Sequence, residues 1–126
     1  MLKVIEYRGE DKQWLESHIS KKPHPDKKKI LEYLKNGTRL AHVKYTERDI
    51  LGSGKPLPCC RDAITDGVWV WKASVVYWIK KYNLMLPDEF IQYMKDQNWT
   101  VPSSLDLNGP SKDFMKGNVI FFSCRE

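Results

Sequence analysis

The side chains able to do chemistry are few and scattered. Cysteine occurs as Cys59, Cys60 and Cys124, histidine as His18, His24 and His42, and five lysines crowd together as Lys21, Lys22, Lys27, Lys28 and Lys29. An odd number of thiols with two adjacent does not read as a secreted disulfide framework. A zinc centre needs about four nitrogen or sulfur ligands at spacings such as CxxC, and the dispersed histidines supply none. A nucleophilic thiol needs a lowered pKa and a positioned base. Arg61 beside Cys60 is an isolated perturber, so the adjacent cysteines read as small, half-buried side chains entering a strand. Gly52-Ser53-Gly54-Lys55 resembles a phosphate loop only in part, because the GxxxxGK[ST] spacing is missing and Pro56 stands where a helix must begin. With no nucleophile elbow and no motif-placed pair of carboxylates, no catalytic residue, metal or cofactor is expected.

What remains is charge. Lys and Arg number 21 against 16 Asp and Glu, a net +5. The lysines within residues 21–29 are the one dense cluster, and they suit phosphates of a nucleic acid or an acidic protein surface. They also read as the solvated start of a helix. Positive charge at a helix start opposes the macrodipole, which Asp26 offsets only in part, and this mismatch favours an anionic partner. The cluster lacks arginine forks and interleaved aromatics.

The elements that must carry these residues follow from periodicity and punctuation. Residues 2–7 alternate as a strand. Asp11 caps a helix with Trp14, Leu15, His18 and Ile19 on one stripe, where His18 reads as a hydrogen-bonded residue at the core's edge. Pro25 opens a second helix carrying Ile30, Leu31 and Leu34 and stopping at Asn36-Gly37. A strand is expected over 41–45 and a loop over 51–58. Asp66-Gly67 lies between two β-prone runs and predicts a hairpin with a two-residue type I′ turn. Beyond it Trp69 and Trp71 face one way and Val68 and Val70 the other, so both faces need cover and the strand belongs near the centre of a sheet. The two tryptophans suit either the core or a partner surface. Residues 72–83 form a helix, Pro87 opens another that fades by Asn98, residues 102–110 are loop-rich, and 118–124 close the chain as a strand.

Length fits this inventory: 126 residues make one domain, 1–126, whose folded surface scales to roughly 7,000 Å². Hydrophobic residues are 41% and charged residues 29%, which excludes disordered and collagen-like chains. No apolar run approaches the ~18 residues of a membrane span and the charged opening lacks a signal-peptide centre, so no membrane partner and a cytoplasmic location are expected. The fold class expected is α+β, a small antiparallel sheet with about four helices packed against it.

The run Thr65-Asp66-Gly67-Val68-Trp69-Val70-Trp71, then Tyr77 and Tyr82, then Leu86-Pro87-Asp88-Glu89-Phe90-Ile91, resembles a broad group of small bacterial proteins with a DG turn, an aromatic strand and an LPxEF helix start. Residues 30–37 are a weaker echo, and Lys72 departs from the pattern, which often has proline there. Some members resemble immunity proteins of polymorphic and contact-dependent toxin systems. The resemblance covers about a quarter of the chain and carries no catalytic residues. It implies a cytoplasmic, non-enzymatic immunity protein that occludes the active site of a cognate toxin domain. The partner-binding residues expected are Lys21, Lys22, Lys27, Lys28, Lys29, Asp62, Asp66, Trp69 and Trp71. The alternative is a small basic nucleic-acid-binding module with the lysines on phosphates.

Overall fold

Trp69, Val70 and Trp71 are each about 1% exposed, and the strand they form is the middle of a five-strand sheet. The computed structural model describes residues 1–58 and 61–124, so the readings of Cys59 and Cys60 lie outside the described residues. In chain order the elements are β1 (Leu2–Ile5), α1 (Lys12–His18), α2 (Lys27–Lys35), β2 (Thr38–Ala41), β3 (Ala63–Thr65), β4 (Trp69–Lys72), α3 (Val75–Tyr82), α4 (Asp88–Asp96), α5 (Asn108–Lys116) and β5 (Val119–Phe122). The spatial order is β2-β3-β4-β1-β5.

This is an α+β domain, with two corrections. The sheet is mixed, not antiparallel: β2, β3 and β4 run antiparallel, while β1 lies parallel to both β4 and β5. Parallel strands need long connections, and α3, α4 and α5 carry the chain from β4 past β1 to β5. The described residues contain five helices, not about four. The extra one, α5, contains Gly109 and Pro110 in its first turn, where the backbone N–H groups have no intrahelical partner and proline therefore costs little.

The alternation in β4 sorts the core. Trp69 and Trp71 point into the larger cluster with Leu15 of α1, Tyr33 and Leu34 of α2, Trp78 of α3, and Phe90 of α4. Val70 points into a smaller cluster with Leu2, Val4 and Ala63, against which Phe114 of α5 packs. The Phe90 ring sits 4.9 Å from Trp69 and 5.4 Å from Trp71 between centroids. Each buried tryptophan removes some 150–250 Å² from water, worth about 4–6 kcal/mol of transfer free energy. Trp69 and Trp71 are therefore interior residues and offer no partner surface.

The Asp66-Gly67 turn is real, but its type is corrected. Gly67 has a positive φ (100°) whereas Asp66 does not, and three residues, 66–68, separate β3 from β4, with Thr65 paired to Val70. Side-chain bonding explains the difference. Asp66 Oδ1 accepts the N–H groups of Val68 (2.9 Å) and Trp69 (2.7 Å), and Oδ2 accepts the Tyr33 hydroxyl (2.6 Å). An aspartate that ties its own loop and a helix together has no need of a left-handed backbone.

Smaller shifts have similar causes. Asp11 caps α1 through the Trp14 N–H (3.0 Å) as expected. Asp26 takes the cap position of α2, so Lys27, not Pro25, begins it. The strand expected over 41–45 is corrected: β2 covers Thr38–Ala41 and shares only Ala41 with it, and beyond its end Asp62 accepts the Val43 N–H (2.9 Å). Gly37 ends α2 as expected, and a Cβ there would lie 2.5 Å from Ile64 Cγ2 and 2.6 Å from Trp71 Cζ2. The total accessible surface, 7,686 Å², is near the size scaling.

Replacing Asp66 with alanine removes three hydrogen bonds to a carboxylate and leaves the Tyr33 hydroxyl buried without its acceptor. Urea unfolding of Asp66→Ala should show a loss of about 3 kcal/mol with an unchanged denaturant slope. A loss below about 0.5 kcal/mol would remove this anchor from the account.

Candidate functional site

The sheet and α1–α4 determine which charged side chains reach the surface. Four acids are buried: Glu47 (2% exposed), Asp49 (1%), Asp62 (6%) and Asp66 (3%). Among the described residues no lysine or arginine is buried. The acids thus take interior positions and the cations remain outside.

Asp49 is the most heavily bonded of the four. It lies in the loop between β2 and β3 and accepts the hydroxyls of Tyr77 (2.5 Å) and Tyr82 (2.9 Å), the Lys81 ammonium (3.2 Å), and the N–H groups of Leu51 (3.0 Å) and Gly52 (2.8 Å). Tyr77, Lys81 and Tyr82 belong to α3, so this carboxylate fastens the long loop to that helix. Burial pushes the Asp49 carboxyl up, but the hydrogen bonds from Tyr77, Tyr82, Lys81 and Leu51 outweigh it and hold the group below the ordinary aspartate value of 3.8. Burial and the adjoining carboxylate raise both tyrosines. Two residues earlier, Glu47 accepts the Tyr7 hydroxyl (2.6 Å), which accepts the Trp78 indole N–H (2.7 Å), and Arg61 Nε stands 3.7 Å from its other oxygen. Burial, then the Glu47 hydrogen bond, raises Tyr7 strongly. The sequence carried a faint trace of this pair: Glu47-Arg48-Asp49 alternates acid, base, acid, and Tyr77, Lys81 and Tyr82 share a helical stripe. These are fastenings inside the domain: the Asp49 oxygens and Glu47 Oε1 accept hydrogen bonds, while among the described residues Glu47 Oε2 has only the Arg61 cation at 3.7 Å.

Asp62 and Asp66, expected at a partner surface, belong to the same class and are corrected to interior anchors. Asp62 accepts from the Val43 N–H and lies 2.8 Å from His42 Nδ1 and 3.7 Å from Arg39. His18 is the core-edge residue expected, stacked on Trp14 at 4.1 Å with Nδ1 2.8 Å from the Trp14 carbonyl. No group of three or more His, Cys, Asp or Glu suited to a metal ion occurs among the described residues.

The lysines behave differently. Lys21, Lys22, Lys28 and Lys29 are exposed, and Lys27 is half-buried. Lys27 Nζ crosses to the C-terminal end of α3, donating to the Lys80 carbonyl (3.1 Å) and to Asn83 Oδ1 (2.7 Å). Asn83 is the left-handed cap of that helix (φ 57°). A lysine unfavourable at the start of α2 is therefore favourable at the end of α3, which offsets the dipole mismatch for Lys27 and leaves it at Lys28 and Lys29. Lys22 and Lys27 line a cleft of about 290 Å³ with Ile30 of α2, Ile79 of α3, and Leu84, Leu86 and Ile91 around the start of α4. His24, Asp88 and Cys124 complete its rim. Lys28 and Lys29 border a separate shallow surface with Glu32, and Lys29 lies 5.7 Å from the Trp99 ring centre. Of the nine residues expected to meet a partner, the five lysines remain as surface candidates, and two of them converge on an apolar cleft.

Asp49 makes the testable prediction. Its lowered pKa contributes stability that is present above the unfolded value of 3.8 and lost as pH falls through the folded value. Asp49→Asn should cost about 2–3 kcal/mol by urea unfolding at pH 7, and the gap to the parent should narrow on acidification below about pH 4. A gap that is constant with pH would contradict an ionised, hydrogen-bonded Asp49.

No protein-family model matches the chain, and no curated protein or solved structure shows significant similarity to it.

Proposed function

We propose that the protein works by binding rather than by catalysis, as an immunity protein that covers the working site of a cognate bacterial toxin domain in the cytoplasm of the cell that makes it. The contact is the lysine-bearing face of α2 and the turn before it. The observation that carries this reading is the convergence of Lys22 and Lys27 on an apolar cleft while Asp62, Asp66, Trp69 and Trp71 are inside the fold. An apolar depression rimmed by donors is the form of a protein-interface hot spot, and uncompensated charge around it steers an acidic partner. The partner surface should therefore be acidic.

A nucleic-acid module with the same lysines on phosphates is the competing reading. It needs aromatic faces beside the lysines, where Trp99 already has Lys29 at 5.7 Å from its ring centre; Tyr45 has Arg61 at 4.8 Å, and the exposed Phe121 ring belongs to β5. The described structure has no helix long and apolar enough to cross a membrane.

The test uses a toxin domain encoded beside the chain's own reading frame. The intact chain should bind it one to one and restore growth, and combined Lys22→Glu, Lys28→Glu and Lys29→Glu should weaken binding at least about tenfold with stability kept. Undiminished binding by this variant, with loss on Phe121→Ser at the exposed edge of β5, would move the contact elsewhere. Binding to generic RNA or DNA with a steep fall as salt rises would replace the proposal with the nucleic-acid reading.

A further inference from the structure

We propose that the cleft between α2, the end of α3 and the start of α4 is a binding site for a small aliphatic carboxylate. The cleft is the one on which the immunity reading places its contact, but the carboxylate preference follows from the lining chemistry alone and is tested without a toxin domain. The interior lining is aliphatic: Ile30, Ile79, Leu84, Leu86 and Ile91 are each less than 9% exposed, and among the described residues the one ring on the lining is the His24 imidazole, exposed at the rim. Such a floor takes a saturated chain and gives no stacking platform for a nucleobase. At about 290 Å³ it lies just below the usual range for ligand sites, roughly 300–1,000 Å³, which suits a small ligand.

The rim specifies the head group. Lys27 Nζ is held by two neutral acceptors, the Lys80 carbonyl and Asn83 Oδ1, which leaves one of its three N–H donors. Among the described residues neither Lys22 nor Lys27 has a carboxylate within 4 Å. His24 Nδ1 accepts the Asp26 N–H (2.9 Å), so the neutral ring carries its proton on Nε2 and offers a further donor. Asn83 is already engaged on both sides, its Nδ2 donating to the Ser20 carbonyl (3.1 Å). Among the described residues the lining thus carries two lysines and a histidine against one acid, Asp88, over an apolar floor. Only a ligand that is an acceptor at one end and aliphatic at the other satisfies both parts. A carboxylate gains charge-assisted hydrogen bonds, whereas an amine would meet two like charges.

Sodium hexanoate is the probe, titrated into the isotope-labelled full chain under reducing conditions and followed by amide chemical shifts. The expected result is a saturable shift centred on Leu84 and Ile91, with hexylammonium chloride at least about tenfold weaker. Lys22→Gln, which removes an exposed side chain with no hydrogen bond of its own, should weaken hexanoate about threefold, and Asp88→Asn should tighten it. Equal binding of hexylammonium or of neutral hexanol would overturn the proposal. So would non-saturating shifts or shifts spread away from the cleft. Because no toxin domain is present in the titration, a negative result here leaves the growth-rescue experiment to decide the immunity reading by itself.

Discussion

Every feature of this domain depends on how four carboxylates are accommodated away from water. Burying an ionised acid is costly unless its oxygens are hydrogen-bonded. Here the donors come mostly from neutral groups: tyrosine hydroxyls at Tyr7, Tyr33, Tyr77 and Tyr82, and backbone N–H groups at Val43, Leu51, Gly52, Val68 and Trp69. Each carboxylate joins segments that packing alone would leave loosely related. Asp66 fixes the hairpin and α2, Asp49 and Glu47 fasten the long loop to α3 and to the segment after β1, and Asp62 turns the chain after β2.

This choice has a consequence outside. Of the four, only Asp49 has a lysine partner among the described residues, Lys81 at 3.2 Å; Tyr33 and backbone N–H groups serve Asp66, and Tyr7 serves Glu47. With four of the 16 acids inside and no described lysine or arginine buried, the surface available to another molecule is more cationic than the net +5 suggests. The net charge still sets the field at long range, but at contact distance the buried acids are withdrawn from the surface, while Lys21, Lys22, Lys28 and Lys29 are exposed on it. The lysine face and the aliphatic cleft it borders are therefore products of the same arrangement that holds the core.

Much of the frame was legible in residue order. The central strand announced itself because Trp69, Val70 and Trp71 leave neither face polar, and the α1 cap and the end of α2 followed from Asp11 and Asn36-Gly37. The parts that were not legible depend on distant groups. Strand direction is set by where a crossover returns, so the parallel pairing of β1 with β4 and β5 leaves no local mark. The turn type failed because the Tyr33 and backbone donors that hold Asp66 replace the need for a left-handed residue. The helix α5 was hidden by Gly109-Pro110, which reads as a loop until it falls in a first turn. Site reading failed in one direction: Asp62, Asp66, Trp69 and Trp71 are polar or aromatic residues of the kind found at interfaces, and all four are used inside, while the lysines were identified without the apolar cleft that makes two of them converge.

The measurement closest to the central claim is a carbon-detected NMR titration of the Asp49 side-chain carboxyl in the intact chain. The account predicts a single transition at a pH below the ordinary value of 3.8, with the carboxylate ionised throughout the neutral range. A transition above that value, or a carboxyl already protonated at neutral pH, would mean that tyrosine and backbone donors do not stabilise the buried charge, and the division between acidic interior and cationic surface would lose its physical basis.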